Sequence, residues 1–256
     1  MKLFHRVYGE EGHPLIILHG LFGSSDNWHS LARRFAEHFR VFTVDLRNHG
    51  NSPHTDVMTY PVMAEDVREF MEQQRLSEAH VLGHSMGGKV AMLLALRYPE
   101  RVSKLVVEDI APRAYPPVHR EVLEGLQRVP LASLHDRRAA EAYLARTISE
   151  PMVRQFLLKY LVRDPRTGQF KWKFNLEAIV KNYDKIAGWP DVEGTYEGPT
   201  LFVRGERSPY IKETDWPLIQ RYFPYARLVT IPGAGHWVHV DAPEPFLEVV
   251  TNFLLA

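Results

Sequence analysis

The chain has 256 residues, enough for one large α/β domain with a substantial core. Its 31 Lys+Arg balance 31 Asp+Glu, so it lacks the electrostatic footprint of a general nucleic-acid binder. Cysteine is absent, which excludes disulfides, thiolate metal sites, iron–sulfur clusters and a cysteine nucleophile. Apolar runs such as Leu15–Leu18 and Ala91–Leu96 fall far short of the ~20 residues a membrane span requires. The opening MKLFHRVYGE turns polar too early for a signal peptide, so a cytoplasmic protein is expected, as a monomer or weak dimer.

In chain order, β-rich runs at Leu15–His19, Val41–Asp45, Ala79–Leu82, Lys104–Val107, Thr200–Val203 and Leu228–Ile231 alternate with helical patterns. The helices are expected at Trp28–His38, Met63–Gln74, Lys89–Arg97 and Pro245–Leu255. Most of the strand runs are continuously apolar, as parallel strands covered on both faces must be. The βαβα order predicts an α/β fold with a mostly parallel, doubly wound sheet.

One stretch breaks the rhythm. Residues 113–189 show no convincing strand, only helical patterns at Val118–Arg128, Arg137–Ile148, Met152–Val162 and Leu176–Ile186. An insertion this long reads as a helical cap, leaving 1–112 and 190–256 as the core. The cap carries 14 Lys+Arg against 8 Asp+Glu. That surplus is either a solvated helical surface or a means of steering anionic substrates.

The strongest motif is Gly83-His84-Ser85-Met86-Gly87, a G-x-S-x-G sequence. Chance alone supplies it about 0.04 times in a chain of this composition. A strand precedes it and a helix follows, the setting that lifts a serine oxygen clear of the backbone beside a helix N-terminus. Ser85 is therefore the candidate nucleophile. A phosphate-loop match, Gly83-x4-Gly88-Lys89, overlaps it, but Val90 stands where the magnesium-binding hydroxyl is needed.

His236, in Gly233-Ala234-Gly235-His236-Trp237 after the last strand, is the candidate base in the chain order such a sheet uses. His239 is its near rival. After the first strand, His19-Gly20-Leu21-Phe22-Gly23 offers the backbone N–H of Leu21, or alternatively of Phe22, to join that of Met86 as an oxyanion hole. For the acid, Ser208 occupies the place where an Asp usually stands. That leaves Asp109, at the carboxyl edge of the sheet, favoured over Glu206. Phe22, Tyr210 and Trp237 are expected either to line an acyl pocket or to pack in the core, whereas Asp45, Arg47 and Gly50 read as loop braces.

HGLFGSSDNW (19–28), VDLRNHGNSP (44–53), GHSMGGK (83–89), VEDIAP (107–112), GPTLFVRGERSPY (198–210) and GAGHWVH (233–239) together resemble the α/β-hydrolase family. Within it they are most similar to YbfF-type esterases and the α/β-hydrolase domain-containing protein 11 group. The likeness extends through RQFLLKYLV and FKWKFN in the insertion. It implies an esterase with Ser85 as nucleophile, His236 as base, Asp109 as acid and Ser208 as a hydrogen-bonding fourth member. The implied substrates are small acyl esters and acyl-CoA thioesters, handled without cofactor or metal. Gly-Glu-Arg at 205–207 departs from the group's usual Gly-Gly-Asn and puts a carboxylate and a cation beside the site. The alternatives are a C–C bond hydrolase and a non-catalytic ligand- or partner-binding protein on the same fold.

Overall fold

A computed structural model describes residues 1–256. The chain opens with β1 (His5–Tyr8), β2 (His13–Leu18), α1 (His29–Phe35), β3 (Phe39–Val44), α2 (Tyr60–Gln73), β4 (Ala79–His84), α3 (Met86–Arg97) and β5 (Val102–Glu108). It continues through α4 (Arg120–Gln127), α5 (Arg137–Leu144), α6 (Pro151–Leu158), β6 (Leu161–Arg163), β7 (Phe170–Trp172) and α7 (Leu176–Ala187). It ends with β8 (Thr200–Gly205), α8 (Trp216–Tyr222), β9 (Ala226–Ile231), α9 (Val238–Asp241) and α10 (Pro243–Leu255).

The apolar run Leu15–Leu18 has no exposed surface because β2 lies between β3 and β4 with helices on both faces. Burying each such side chain contributes about 1.5–3 kcal/mol, so the run secures the middle of the sheet. The order is β1-β3-β2-β4-β5-β8-β9, and every pairing is parallel except β1 with β3. Strands β2, β4, β5, β8 and β9 therefore end on one edge, where parallel α/β sheets form their sites. Two cores flank the sheet: one includes Phe42, Phe70 and Phe202 under α2 and α3, the other Trp28, Phe35 and Phe246 under α1 and α10.

Residues 113–189 correct the expectation of a strand-free insertion. Strands β6 and β7 form an antiparallel hairpin, and the helix expected over Met152–Val162 stops at Leu158. Asp164 makes the turn by accepting the Arg166 N–H at 2.9 Å, and Gly168 takes the left-handed conformation (φ 70°). The alternation Phe170-Lys171-Trp172, buried–exposed–buried, is the strand signal the helical reading passed over. The short edge strand β1 and helix α8 were likewise not anticipated.

Candidate active site

Ser85 sits between β4 and α3 with φ 52° and ψ −117°, a left-handed conformation costly for a residue with a side chain. The turn closes because the residues two positions to either side, Gly83 and Gly87, lack side chains. A Cβ on Gly83 would fall 2.2 Å from the Gly87 carbonyl, and one on Gly87 would fall 2.5 Å from those of Leu18 and His19. Asp109 leaves the adjacent strand through a matching turn, φ 54°. His84 and Glu108 are register partners on β4 and β5, so the two residues that follow them emerge side by side at the sheet edge.

His236 reaches both. Its Nε2 accepts from the Ser85 hydroxyl at 3.0 Å, and its Nδ1–H donates to Asp109 Oδ2 at 2.6 Å. The carboxylate is fully buried and receives two further donors, the Gly205 N–H at 3.1 Å on Oδ1 and the Ser208 hydroxyl on Oδ2. Ser208 thus lies against the candidate acid rather than replacing it. The Tyr210 ring stacks on the imidazole, centroids 3.9 Å apart and planes 19° apart, and limits its rotation. Glu206 is not brought to the histidine: its carboxylate is turned to the Gly233 N–H at 2.7 Å. His239 faces away from Ser85 and donates through Nδ1–H to Glu108 at 2.8 Å.

The two candidate oxyanion donors after β2 are distinguished by their partners. The Phe22 N–H is already taken by His49 Nε2 at 3.0 Å, and Phe22 has φ 67°. Leu21, whose N–H has no such partner, lines the cavity beside Ser85 together with Phe22. Burial holds His49 down to about 3 and lowers His19 as well, so both rings stay neutral and accept backbone N–H groups, His19 from Leu46 at 2.9 Å. Asp45 braces the same loops by accepting Ser25 N–H at 2.6 Å and Asn51 N–H at 2.8 Å. Arg47 forks onto Asp66 at 2.6 and 2.8 Å. The role of His49 carried no motif in the sequence; it follows only from the contact across 27 residues.

A cavity of about 990 Å³ opens over Ser85 and His236. Leu21, Phe22, Tyr210 and Trp237 line it from the sheet side, and His119, Phe156 and Tyr160 from the 113–189 segment. Phe156 packs on Trp237 with centroids 5.3 Å apart, closing part of the roof. Its charged lining is mixed, with Lys159 and Arg207 against Asp26, Glu121 and Glu150. The cationic surplus of the insertion is therefore not concentrated at the nucleophile. Arg163, Lys171 and Lys173 line a separate, more open cavity of about 870 Å³. Lys89, the phosphate-loop lysine of the sequence, is buried and donates to the carbonyls of Ala187 at 3.3 Å and Gly188 at 2.6 Å. Desolvation, with Arg113 nearby, holds its ammonium down to about 7.

A strand–elbow–helix serine, a histidine after the last parallel strand and a carboxylate at the same sheet edge define an α/β hydrolase by architecture. The sequence profile of the alpha/beta hydrolase fold matches residues 13–243, and the chain belongs to that family. The sn-1-specific diacylglycerol lipase ABHD11 of Danio rerio is 43% identical over 265 residues, covering 99% of this chain and 83% of that protein. Esterase YbfF of Escherichia coli (strain K12) is 38% identical over 242 residues, covering 94% and 92%. A solved marine microorganism esterase is similar throughout, with a TM-score of 0.96 at 43% identity over 98% of this chain and 99% of that one. No helix here is long and apolar enough to cross a membrane.

Proposed function

We propose that this chain is a carboxylic ester hydrolase that works through an acyl-Ser85 intermediate. The observation that carries the reading is the continuous chain from Ser85 Oγ through His236 to buried Asp109, with links of 3.0 and 2.6 Å. His236 Nε2 takes the hydroxyl proton as Ser85 Oγ attacks the ester carbonyl. The imidazolium formed is stabilised by the Asp109 carboxylate, whose other two hydrogen bonds fix its orientation. The N–H groups of Leu21 and Met86 receive the developing oxyanion, the latter aided by the N-terminus of α3; each such donor is worth about 3–4 kcal/mol of barrier. The tetrahedral adduct collapses as His236 passes the proton to the departing alcohol. Water then attacks the acyl-serine by the same route in reverse.

Segment 113–189 acts as the cap in this scheme, supplying much of the cavity wall. The lining is mostly uncharged around Ser85, and its few ionic groups are of both signs. That supports neutral acyl esters as substrates, in keeping with the esterase and lipase names of its relatives. Thioesters of the same acyl groups fit the same chemistry; the lining offers two cations, Lys159 and Arg207, beside three carboxylates.

Fluorophosphonate labelling of the intact protein, followed by mass mapping, tests the nucleophile. Ser85 should carry the adduct, and Ser85→Ala should lose several orders of magnitude in p-nitrophenyl acetate turnover. A folded Ala variant with near-parental activity would remove this function, and an unlabelled Ser85 would favour a non-catalytic role.

A further inference from the structure

A second set of ionisable groups lies directly beneath the first. His84 precedes Ser85, Glu108 precedes Asp109, and His239 follows His236 by three residues. All three are buried, Glu108 completely. The Glu108 carboxylate accepts both the backbone N–H of His239 at 2.9 Å and its ring Nδ1–H at 2.8 Å. His84 Nε2–H donates to the backbone carbonyl of His236 at 3.0 Å. Trp28 stacks on the far face of His239, centroids 4.1 Å apart.

We propose that Glu108, His84 and His239 form a positioning set that fixes His236 against Ser85 and Asp109 from below. The inference rests on the esterase reading above. Its basis is connectivity. His236 sits on the loop Ala234–Trp237, between β9 and α9. That loop is held at residue 236 by the neighbour of the nucleophile, and α9, into which it runs, is held at residue 239 by the neighbour of the acid. The carbonyl of one histidine and the amide of the next are thus tied to the ends of β4 and β5, so the three catalytic side chains move as one body. Glu108 also adds a second carboxylate behind Asp109, which favours the imidazolium that forms at His236 during attack.

The groups facing Glu108 are His84 from β4, Asp109 at the end of its own strand, and His236 and His239 from the loop and α9. Val203, its register partner on β8, carries no charge. Burial pushes Glu108 up to about 7 and holds His84 and His239 down to about 3. The rings stay neutral near neutral pH, and the carboxyl is the member of the set that changes charge there. Its protonation falls on the acid side of the activity profile.

The test is the pH dependence of kcat/KM for p-nitrophenyl acetate in the parent, Glu108→Gln, His84→Leu and His84→Gln. Glu108→Gln keeps an oxygen for His239 but loses the charge. The parent's acid limb should be steeper than one proton allows, whereas Glu108→Gln, which is permanently neutral there, should show a lower plateau of kcat/KM and a single-proton slope. His84→Leu should lower kcat about ten-fold with KM little changed, the scale of one lost hydrogen bond, and His84→Gln should restore most of it. Fluorophosphonate labelling rates on the folded fraction give the same comparison without a substrate. A parent that fails to label loses the esterase reading itself. Normal labelling with an unchanged profile in Glu108→Gln, or equal kcat in His84→Leu and the parent, overturns the positioning set alone. Should Glu108→Gln not fold, the His84 pair decides.

Discussion

Replacing Asp109 by Asn separates the charge of the acid from its shape. The carboxylate faces three donors: the Gly205 N–H on Oδ1, and the Ser208 hydroxyl and His236 Nδ1–H on Oδ2. An amide has one oxygen for these two positions. With its NH2 toward Gly205 it would oppose a fixed backbone donor at 3.1 Å, and no rotation relieves that. With its NH2 toward His236 the Ser208 hydroxyl can rotate to accept, so this orientation wins. His236 Nδ1 must then become the acceptor, which moves the ring proton to Nε2, where it blocks removal of the Ser85 proton. The expected result is a folded protein with kcat lower by about 10⁴, equivalent to about 5.4 kcal/mol of barrier. Steady-state hydrolysis of p-nitrophenyl acetate, with thermal melting to verify folding, measures it. Activity within ten-fold of the parent would refute the assignment of Asp109 as the acid.

Ser208→Ala removes one of three hydrogen bonds to Asp109 and should reduce kcat by at most about ten-fold. Glu206→Gln, turned to Gly233 at the surface, should change it less than three-fold; a crippled Glu206→Gln in the same kinetic assay would reverse the ranking. Lys89→Met relieves a buried ammonium but leaves the Ala187 and Gly188 carbonyls without their donor. A net loss of about 1–2 kcal/mol should appear as faster hydrogen exchange over Leu176–Ala187; unchanged exchange would show that the lysine does not anchor α7. Because Glu108 is raised from 4.5 to about 7 in the fold, the folded protein retains a proton that the unfolded chain releases between those values. Its contribution to stability is thus present below pH 4.5 and lost as pH rises to 7. The loss is roughly 3 kcal/mol, and unfolding free energies from urea titrations should fall by about that much more for the parent than for Glu108→Gln across the window.

Much of this architecture is local and therefore legible in the chain. Continuous apolar runs such as Leu15–Leu18 and Val81–Leu82 announce strands covered on both faces, and the glycines at 83 and 87 mark a turn with no room for a Cβ at those two positions. Both are properties of a few consecutive residues. The hairpin β6–β7 escaped because each strand is three residues long and the apolar spacing of Phe156–Leu161 runs on at helical period into it. The edge strand β1 escaped because it is half exposed and takes its conformation from pairing with β3.

What no local pattern contains is which distant residues face one another. Asp109 and Glu206 were both carboxylates at strand ends, and only the fold turns one onto His236 and the other onto Gly233. Leu21 was favoured over Phe22 as the backbone donor on motif position alone, and only the fold shows the Phe22 N–H taken by His49, 27 residues away. The charge of the insertion was countable, but its distribution between two cavities was not. Nothing in the sequence links Glu108, which follows an expected strand, or His84, which lies in the elbow, to the partners they have 131 and 152 residues along the chain. The sequence by itself determined the central strands, the helices between them and the chemical types at the sheet edge, because these follow from short-range sterics and burial. The tertiary structure alone decided the partners, because hydrogen bonds of about 3 Å depend on strand register and loop placement set by packing across the whole sheet.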